Sequence, residues 1–437
     1  MSALIDVVEE QREPLLREPS PPPPLLPSKH SSENDDIVPF SSSDGPDSPA
    51  PNPADQNQRL VSLDVFRGLT IALMILVDDA GGAFPSINHS PWFGVTLADF
   101  VMPSFLFGVG VSVSLVFKKI SSKTTATKKV LLRAIKLFLL GVLLEGGYFH
   151  GRNHLTYGVD VAKIRWLGVL QRISIGYLLA SMSEIWFVKN IMVDSPVAFV
   201  RKYYAQGLFA ILLCSTYLLL LYGLYVPNWS FAVSSLNVAG NTSDTQNVHC
   251  EMRGSLEPPC NAVGFIDRII LGEKHLYQRP VYRRTKECSV NSPDYGPLPP
   301  NSPGWCLAPF DPEGILSSLM AAITCFVGLH YGHIVVHFKV DVKHFRKPMI
   351  LLQWMGMNAL IIYALAAREL FPAAVQGFYW RSPENTLVDG TEALLQAMLH
   401  SRKWGTLAFV MLEIIMCHIA GKLSAEKRIP DFSDGKE

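Results

Sequence analysis

The sequence predicts an all-α, polytopic transmembrane helical protein, and three observations predict it. Of 437 residues, 49% are hydrophobic and the formal net charge is zero, a balance that argues against a basic nucleic-acid binder. The apolar residues gather into runs of roughly 15 to 23 residues, about what a helix needs to cross a hydrocarbon core of about 30 Å. Lys and Arg then fall in alternate connections between those runs, the pattern that sets orientation in a bilayer.

Residues 1–58 are rich in Pro, Ser and acid and contain the run Pro21-Pro22-Pro23-Pro24. No apolar stretch there is long enough for a signal peptide, and the composition is that of a disordered cytosolic tail. About eight spans follow, at 60–77, 95–117, 130–144, 167–188, 208–226, 315–336, 349–370 and 405–419. They divide the chain into a membrane domain of spans one to five (59–226), a long luminal loop (227–314), a membrane domain of spans six to eight (315–423) and a short tail (424–437). Lys118, Lys119, Lys123, Lys128 and Lys129 lie after span two, Lys189, Arg201 and Lys202 after span four, and Lys339, Lys343, Arg346 and Lys347 after span six. With Lys422, Lys427 and Arg428 at the C-terminus, these put both termini in the cytosol.

The long loop holds four of the seven cysteines, Cys250, Cys260, Cys288 and Cys306. An even set on the non-cytosolic side suggests two disulfides in any of three pairings. Cys214, Cys325 and Cys417 fall inside spans and read as packing residues. Glycosylation sequons at Asn88, Asn228 and Asn241 lie on the same proposed luminal side.

Ionisable side chains at membrane depth are where function is sought first. His89 sits in a short polar loop between spans one and two, with Asp78 and Asp79 before it and Asp99 after it. Imidazole suits proton transfer near neutral pH, and a neighbouring carboxylate would fix its tautomer. The plainer alternative makes these residues interfacial anchors, with Asp99 a helix cap. Arg165, Gln171 and Arg172 enter span four; the arginines, seven residues apart, share a helix face and would need a carboxylate such as Glu145 or Glu184, or a bound anion. Asp64 and Arg67 start span one at a spacing that favours pairing with each other. In the luminal loop Asp267, Arg268, His275 and Glu313 suit the gripping of a sugar, or an ordinary ordered loop equally well. His330, His333 and His337 read as a basic interfacial face rather than a metal stripe, and no metal is expected.

Five segments carry a resemblance: Arg59 to Gly68 (RLVSLDVFRG), His89 to Asp99 (HSPWFGVTLAD), Gly168 to Arg172 (GVLQR), the Ile266-Asp267-Arg268 to His275-Leu276-Tyr277 stretch, and Asp311-Pro312-Glu313-Gly314. In order, they resemble the heparan-α-glucosaminide N-acetyltransferase family, in particular its plant-type relatives without the N-terminal luminal domain. The likeness runs from Arg59 to Val336 and resumes through spans seven and eight. It implies a multi-span acetyltransferase that uses cytosolic acetyl-CoA to acetylate the amine of a luminal glucosaminide or related amino sugar. His89 stands at the family's catalytic histidine, as general base or acetyl carrier, with Asp78, Asp79 and Asp99 as its acidic neighbours. Arg67, Arg165, Gln171 and Arg172 are candidates for the acetyl-CoA site, and Asp267, Arg268, His275 and Glu313 for the acceptor. Two departures stand out: the family has Asn where this chain has Asp78, and about two further spans where this chain passes from Lys339 directly to Val340. The implied setting is a lysosome- or vacuole-like membrane or the plasma membrane, with a homodimer left open and no nucleic-acid partner. The rival readings are a proton-coupled transporter, against which the lack of inverted repeats weighs, and an inactive short form.

Overall fold

The computed structural model describes residues 61–117, 122–149, 157–159, 164–189, 193, 195–233, 244–337, 350–366 and 386–426. The expected N-terminal tail, the sequon at Asn241 and the Lys339–Val340 junction lie outside them.

Helices dominate. In chain order they are α1 (Val61–Ala80), α2 (Leu97–Val116), α3 (Lys123–Gly146), α4 (Val169–Phe187), α5 (Pro196–Gly223), α6 (Ala262–Ile270), α7 (Ile315–His337), α8 (Ile350–Met357), α9 (Ala359–Ala366), α10 (Leu387–Leu399) and α11 (Arg402–Glu426). Among the described residues, the apolar runs read from the sequence fall largely on these helices. By length and composition, α2, α5 and α7 are apolar enough to cross a membrane. Two helices expected to be short are not, since α3 has 24 residues and α11 has 25. Their extra turns are polar ones that an apolar window does not count: Lys123, Lys128 and Lys129 are helical, as are Arg201 and Lys202 on α5.

Three further departures are local. The seventh run is two helices, α8 and α9, joined at Asn358, whose side chain turns back to donate to the Trp354 carbonyl (3.2 Å). Helix α10 was not expected. Its start is nonetheless signalled by Thr386, whose hydroxyl accepts the amide of Asp389 (3.1 Å), a capping pattern. And the chain is not purely helical: two-residue to five-residue strands pair as β1–β2 (Gly147–Phe149, Tyr157–Val159), β3–β6 (Tyr225–Val226, Met252–Arg253) and β4–β5 (Trp229–Val233, Asp244–Val248). All lie in connections between the helices.

Two cores hold the bundle. Leu106, Leu137, Ile173, Phe326 and Leu329 pack where α2, α3, α4 and α7 meet. Ile71, Ile75, Met355, Ile362, Val410 and Ile414 pack between α1, α8, α9 and α11. Between apolar helices the hydrophobic driving force is weak, and close backbone approach through small residues replaces it. Gly328 of α7 lies against the Phe107 backbone of α2, while Gly68 of α1 meets the Leu352 carbonyl and Gly356 of α8 meets the Asp64 carbonyl. Helix α5, by contrast, buries only Tyr203, Gln206 and Leu221 and turns Ile211 (63% exposed) and Leu219 (72%) outward.

The loop cysteines pair locally, Cys250 with Cys260 and Cys288 with Cys306. The three remaining cysteines are free, Cys325 and Cys417 buried in the helical cores. Replacing Gly356 by Val should drive α1 and α8 apart, at a cost of about 1–3 kcal/mol for overpacking, read as a lower melting temperature of the detergent-solubilised protein. Gly207→Ala, with open space around its Cβ, should leave the melt unchanged.

Candidate active site

The site is assembled from the α1–α2 hairpin outward. Helix α1 ends where Asp78 and Asp79 give way to Gly81 and a turn, with Gly81 N–H donating to the Val77 carbonyl (3.0 Å). The chain then loops through His89 and restarts as α2 with Thr96 at the N-cap and Asp99 in its first turn. Asp99 Oδ2 accepts the Thr96 amide (2.9 Å) and hydroxyl (3.1 Å) and the Ser90 amide (3.4 Å), while Oδ1 lies 2.8 Å from His89 Nδ1. The capping role and the dyad role, rivals on sequence, are therefore carried by separate oxygens of one carboxylate. The imidazole is half exposed, with Nδ1 held by Asp99.

The loop around His89 is fixed from both sides. Asn88 Oδ1 accepts the His89 amide (2.7 Å) and Arg284 (3.1 Å), and the Asn88 carbonyl accepts the Thr96 hydroxyl (2.6 Å). The Asn88 amide is thus committed to the fold, and the Asn228 amide likewise holds Glu251 (2.6 Å) and the Cys250 N–H (2.7 Å). Trp92 donates to the Leu256 carbonyl (2.9 Å) and sets its ring edge-on to Tyr282 and Phe310. These rings form one cluster with the Cys288–Cys306 bridge, so the cysteine-containing loop braces the histidine. Trp92 and Arg284 were not singled out from sequence; Trp92 stood in the same segment as His89, but nothing local announced partners about 200 residues away.

The charged residues divide into those gathered beside His89 and those engaged elsewhere. Asp78 is within electrostatic reach of His89 and Glu313, whereas Asp79 reaches Cys417 on α11. Arg165 donates to Asp311 (Nε to Oδ2, 2.8 Å) and to Glu313 (3.0 Å), and its guanidinium lies over the Tyr277 ring (5.0 Å). Arg172 donates to the other Glu313 oxygen (2.9 Å) and to Ser317 (2.8 Å). Glu313 therefore partners Arg172, while the side chain of Glu145 lies outside those described. Glu184 instead accepts from Gln206 (2.7 Å) and faces His333 (3.0 Å), which stacks on Tyr203, itself bonded to His337 (3.0 Å). The histidine stripe is a packed seam between α4, α5 and α7, not a solvated basic face. Gln171 is fully buried, against Gly141 of α3.

The remaining loop residues are mainly structural. Asp267 accepts the Ile315 amide (2.9 Å) and so caps α7; His275 bonds the Ile164 carbonyl (2.7 Å); Arg268 stacks on Trp229 (3.7 Å). Burial pushes the Asp267 carboxyl up from 3.8 to about 7, with Asp311 adding to the rise and the Ile315 amide and Arg268 opposing it. Burial likewise pulls Arg268 down to about 10, still a cation at neutral pH.

A second cavity, about 180 Å³, opens among α1, α2, α3, α4, α8 and α9. Its polar lining includes Arg67, Ser112, Arg133, Tyr177 and Asn358. Arg67 pairs with Asp64 (3.6 Å) and donates to Ser112, so the pairing expected from sequence holds and the guanidinium still faces the cavity. Arg133 reaches the Tyr177 hydroxyl (3.5 Å).

Residues 59–232 match the family model described as heparan-alpha-glucosaminide N-acetyltransferase, catalytic. This chain is related to the heparan-alpha-glucosaminide N-acetyltransferases. The mouse protein of that name is 29% identical over 327 residues, 72% of this chain and 44% of the relative; the human protein is 26% identical over 296 residues, 65% and 40%. The chain thus spans less than half the length of these curated relatives. The matched segment contains the His89–Asp99 pair, both span-four arginines and Arg67, while the acids that hold those arginines lie beyond it.

The Asp267 shift has a pH consequence with a definite sign. A carboxyl at 3.8 when unfolded and about 7 when folded gives the folded state an extra proton between those values, so its stabilisation is full at low pH and is lost as pH rises through about 7. Limited proteolysis of the cysteine-containing loop should therefore be slower at pH 5 than at pH 8. Asp267→Asn, which keeps the acceptor without the charge, should flatten that difference.

Proposed function

We propose that this chain is a membrane acyltransferase. It moves an acetyl group from cytosolic acetyl-CoA to the amine of a luminal glucosaminide or related amino sugar, through a helical domain of about eight spans with both termini cytosolic. The observation that carries this reading is the His89–Asp99 pair (2.8 Å) within the segment that matches the catalytic family model. The family name supplies the reaction; the pair supplies chemistry able to perform it.

Asp99 keeps a proton on Nδ1 and leaves the Nε2 lone pair available. Nε2 takes the proton that the acceptor amine loses as its nitrogen bonds the acetyl carbon. The C–S bond then breaks and CoA departs as the thiolate, which takes up a proton on the cytosolic side. If Nε2 first carries the acetyl, the same bond changes occur in two steps. Asp78, within electrostatic reach of both His89 and Glu313, supplies a carboxylate for an ammonium or hydroxyls.

Arg165 and Arg172 serve to hold Glu313 in place, and the donor role passes to the cavity. Arg67 and Arg133 offer two guanidiniums to phosphates there. Along α2, Ser112 beside Arg67 and Asp99 beside His89 are 13 residues apart, about 20 Å of helix at 1.5 Å per residue. An extended thioester arm suits that span. A polar site at each end lets the acetyl group alone pass between compartments.

The test uses sealed vesicles with labelled acetyl-CoA outside and a panel of amino sugars inside. His89→Ala should lower product by about 100-fold or more, and Arg67→Ala should raise KM for acetyl-CoA more than it lowers kcat. Product formation undiminished by His89→Ala would overturn the proposal. Label retained on the protein without acceptor, and lost in His89→Ala, identifies the two-step course.

A further inference from the structure

Helix α6 is only nine residues long, yet its two faces have opposite characters. Gly264 and Asp267 point inward, while Ile269 (65% exposed) and Ile270 (64%) point outward. Its outward side forms one wall of a groove of about 410 Å³ whose other walls are Leu220 and Leu224 at the end of α5 and Ile315 and Leu319 at the start of α7. Every lining residue is Leu, Ile or Phe.

The rim differs from the floor. Tyr222 (54% exposed) and Tyr225 (45%) stand at the α5 end, where amphipathic rings favour the bilayer–water boundary. Arg253 donates to the Gly223 carbonyl (3.4 Å), next to the groove residue Leu224, and its exposed guanidinium lies over the Tyr225 ring (6.0 Å). A cation and two interfacial rings next to the Leu224 end of an all-apolar slot, near the outward-facing leucines of α5, complement a phosphate headgroup joined to a hydrocarbon chain.

We propose that this groove holds one acyl chain of a luminal-leaflet phospholipid, its phosphate at Arg253, and that the lipid fastens α6 to the start of α7. The proposal rests on the membrane-spanning reading of α5 and α7. It links the lipid to the active site because α6 carries Asp267, which caps α7 at Ile315, two residues after the Glu313 that holds Arg165 and Arg172. A filled groove keeps that cap seated.

The experiment reconstitutes the full chain in bilayer discs of phosphatidylcholine carrying a diazirine midway along one acyl chain. Illumination follows either directly or after exchange into detergent, and adducts are mapped by peptide. Before exchange, label is expected on both α6 and the outward face of α5; after exchange it should persist on α6 and the groove wall at Leu220 and Leu224 and vanish from the outward face of α5 around Ile211. Ile269→Asp, at an exposed position, and Ile269→Trp, which fills the slot with apolar volume, should each reduce the retained α6 label several-fold, with the α5 label before exchange unchanged. Simultaneous loss of label from α6 and α5, or equal retention in both variants, would overturn the groove while leaving the membrane reading intact. Crosslinks joining α6 of two copies would overturn it in favour of a subunit interface, and an unlabelled α5 would remove the membrane reading and the groove with it.

Discussion

Glu313 sits between two guanidiniums, and the loop that packs against the His89 hairpin is anchored there. Arg165 and Arg172 enter a helix bundle where an uncompensated cation is costly; Asp311 and Glu313 neutralise them with matched charge and direct hydrogen bonds. Because Arg165 lies just before α4, Arg172 in its first turn, and the acids in the last residues before α7, the pairing draws together segments about 140 residues apart. Removing one member of a buried pair typically costs about 3–5 kcal/mol, since the other is left charged and dry. The loop thus pinned at one end is the same loop that holds Trp92 and Asn88 of the hairpin. Charge neutralisation at one end of the loop and the hairpin contacts at Trp92 and Asn88 thus belong to one segment.

Asp99 shows how one side chain joins folding to chemistry. Its Oδ2 closes the first turn of α2, where backbone N–H groups lack helical partners, and its Oδ1 orients the imidazole. A helix start is rigid, and a carboxylate locked into it transmits that rigidity to the ring it touches. Pre-organisation of this kind is what a proton-transfer residue needs.

Much of this architecture was legible in the sequence because it follows from local rules. Apolar runs marked the helices, and His89 stood out because an imidazole beside acids at a span boundary is expensive. The polar turns of α3 and α5 were missed because lysine-bearing helix looks like loop to an apolar count, and the break at Asn358 because Asn within an apolar run leaves no gap. Helix α10 escaped through Asp389, Gly390 and Glu392, which dilute its apolar face. The partners of Arg165, Arg172 and Trp92 were illegible for a different reason: long-range pairing is set by the packed bundle, and many acids were available in the sequence. The loop residues Asp267, Arg268 and His275 showed chemistry in their letters but spend it on α7, Trp229 and the Ile164 carbonyl.

Both disulfides close short intervals, of 10 and 18 residues, and both are complete by Cys306. Helix α7 begins at Ile315. During synthesis, then, every cysteine of the cross-linked module emerges before the helix that the module will cap. Asp267 and Asp311 precede α7 as well, so its first turn arrives at a surface whose hydrogen-bond acceptors and counter-charges already exist. Along the chain, the residues of the brace precede the helix they brace.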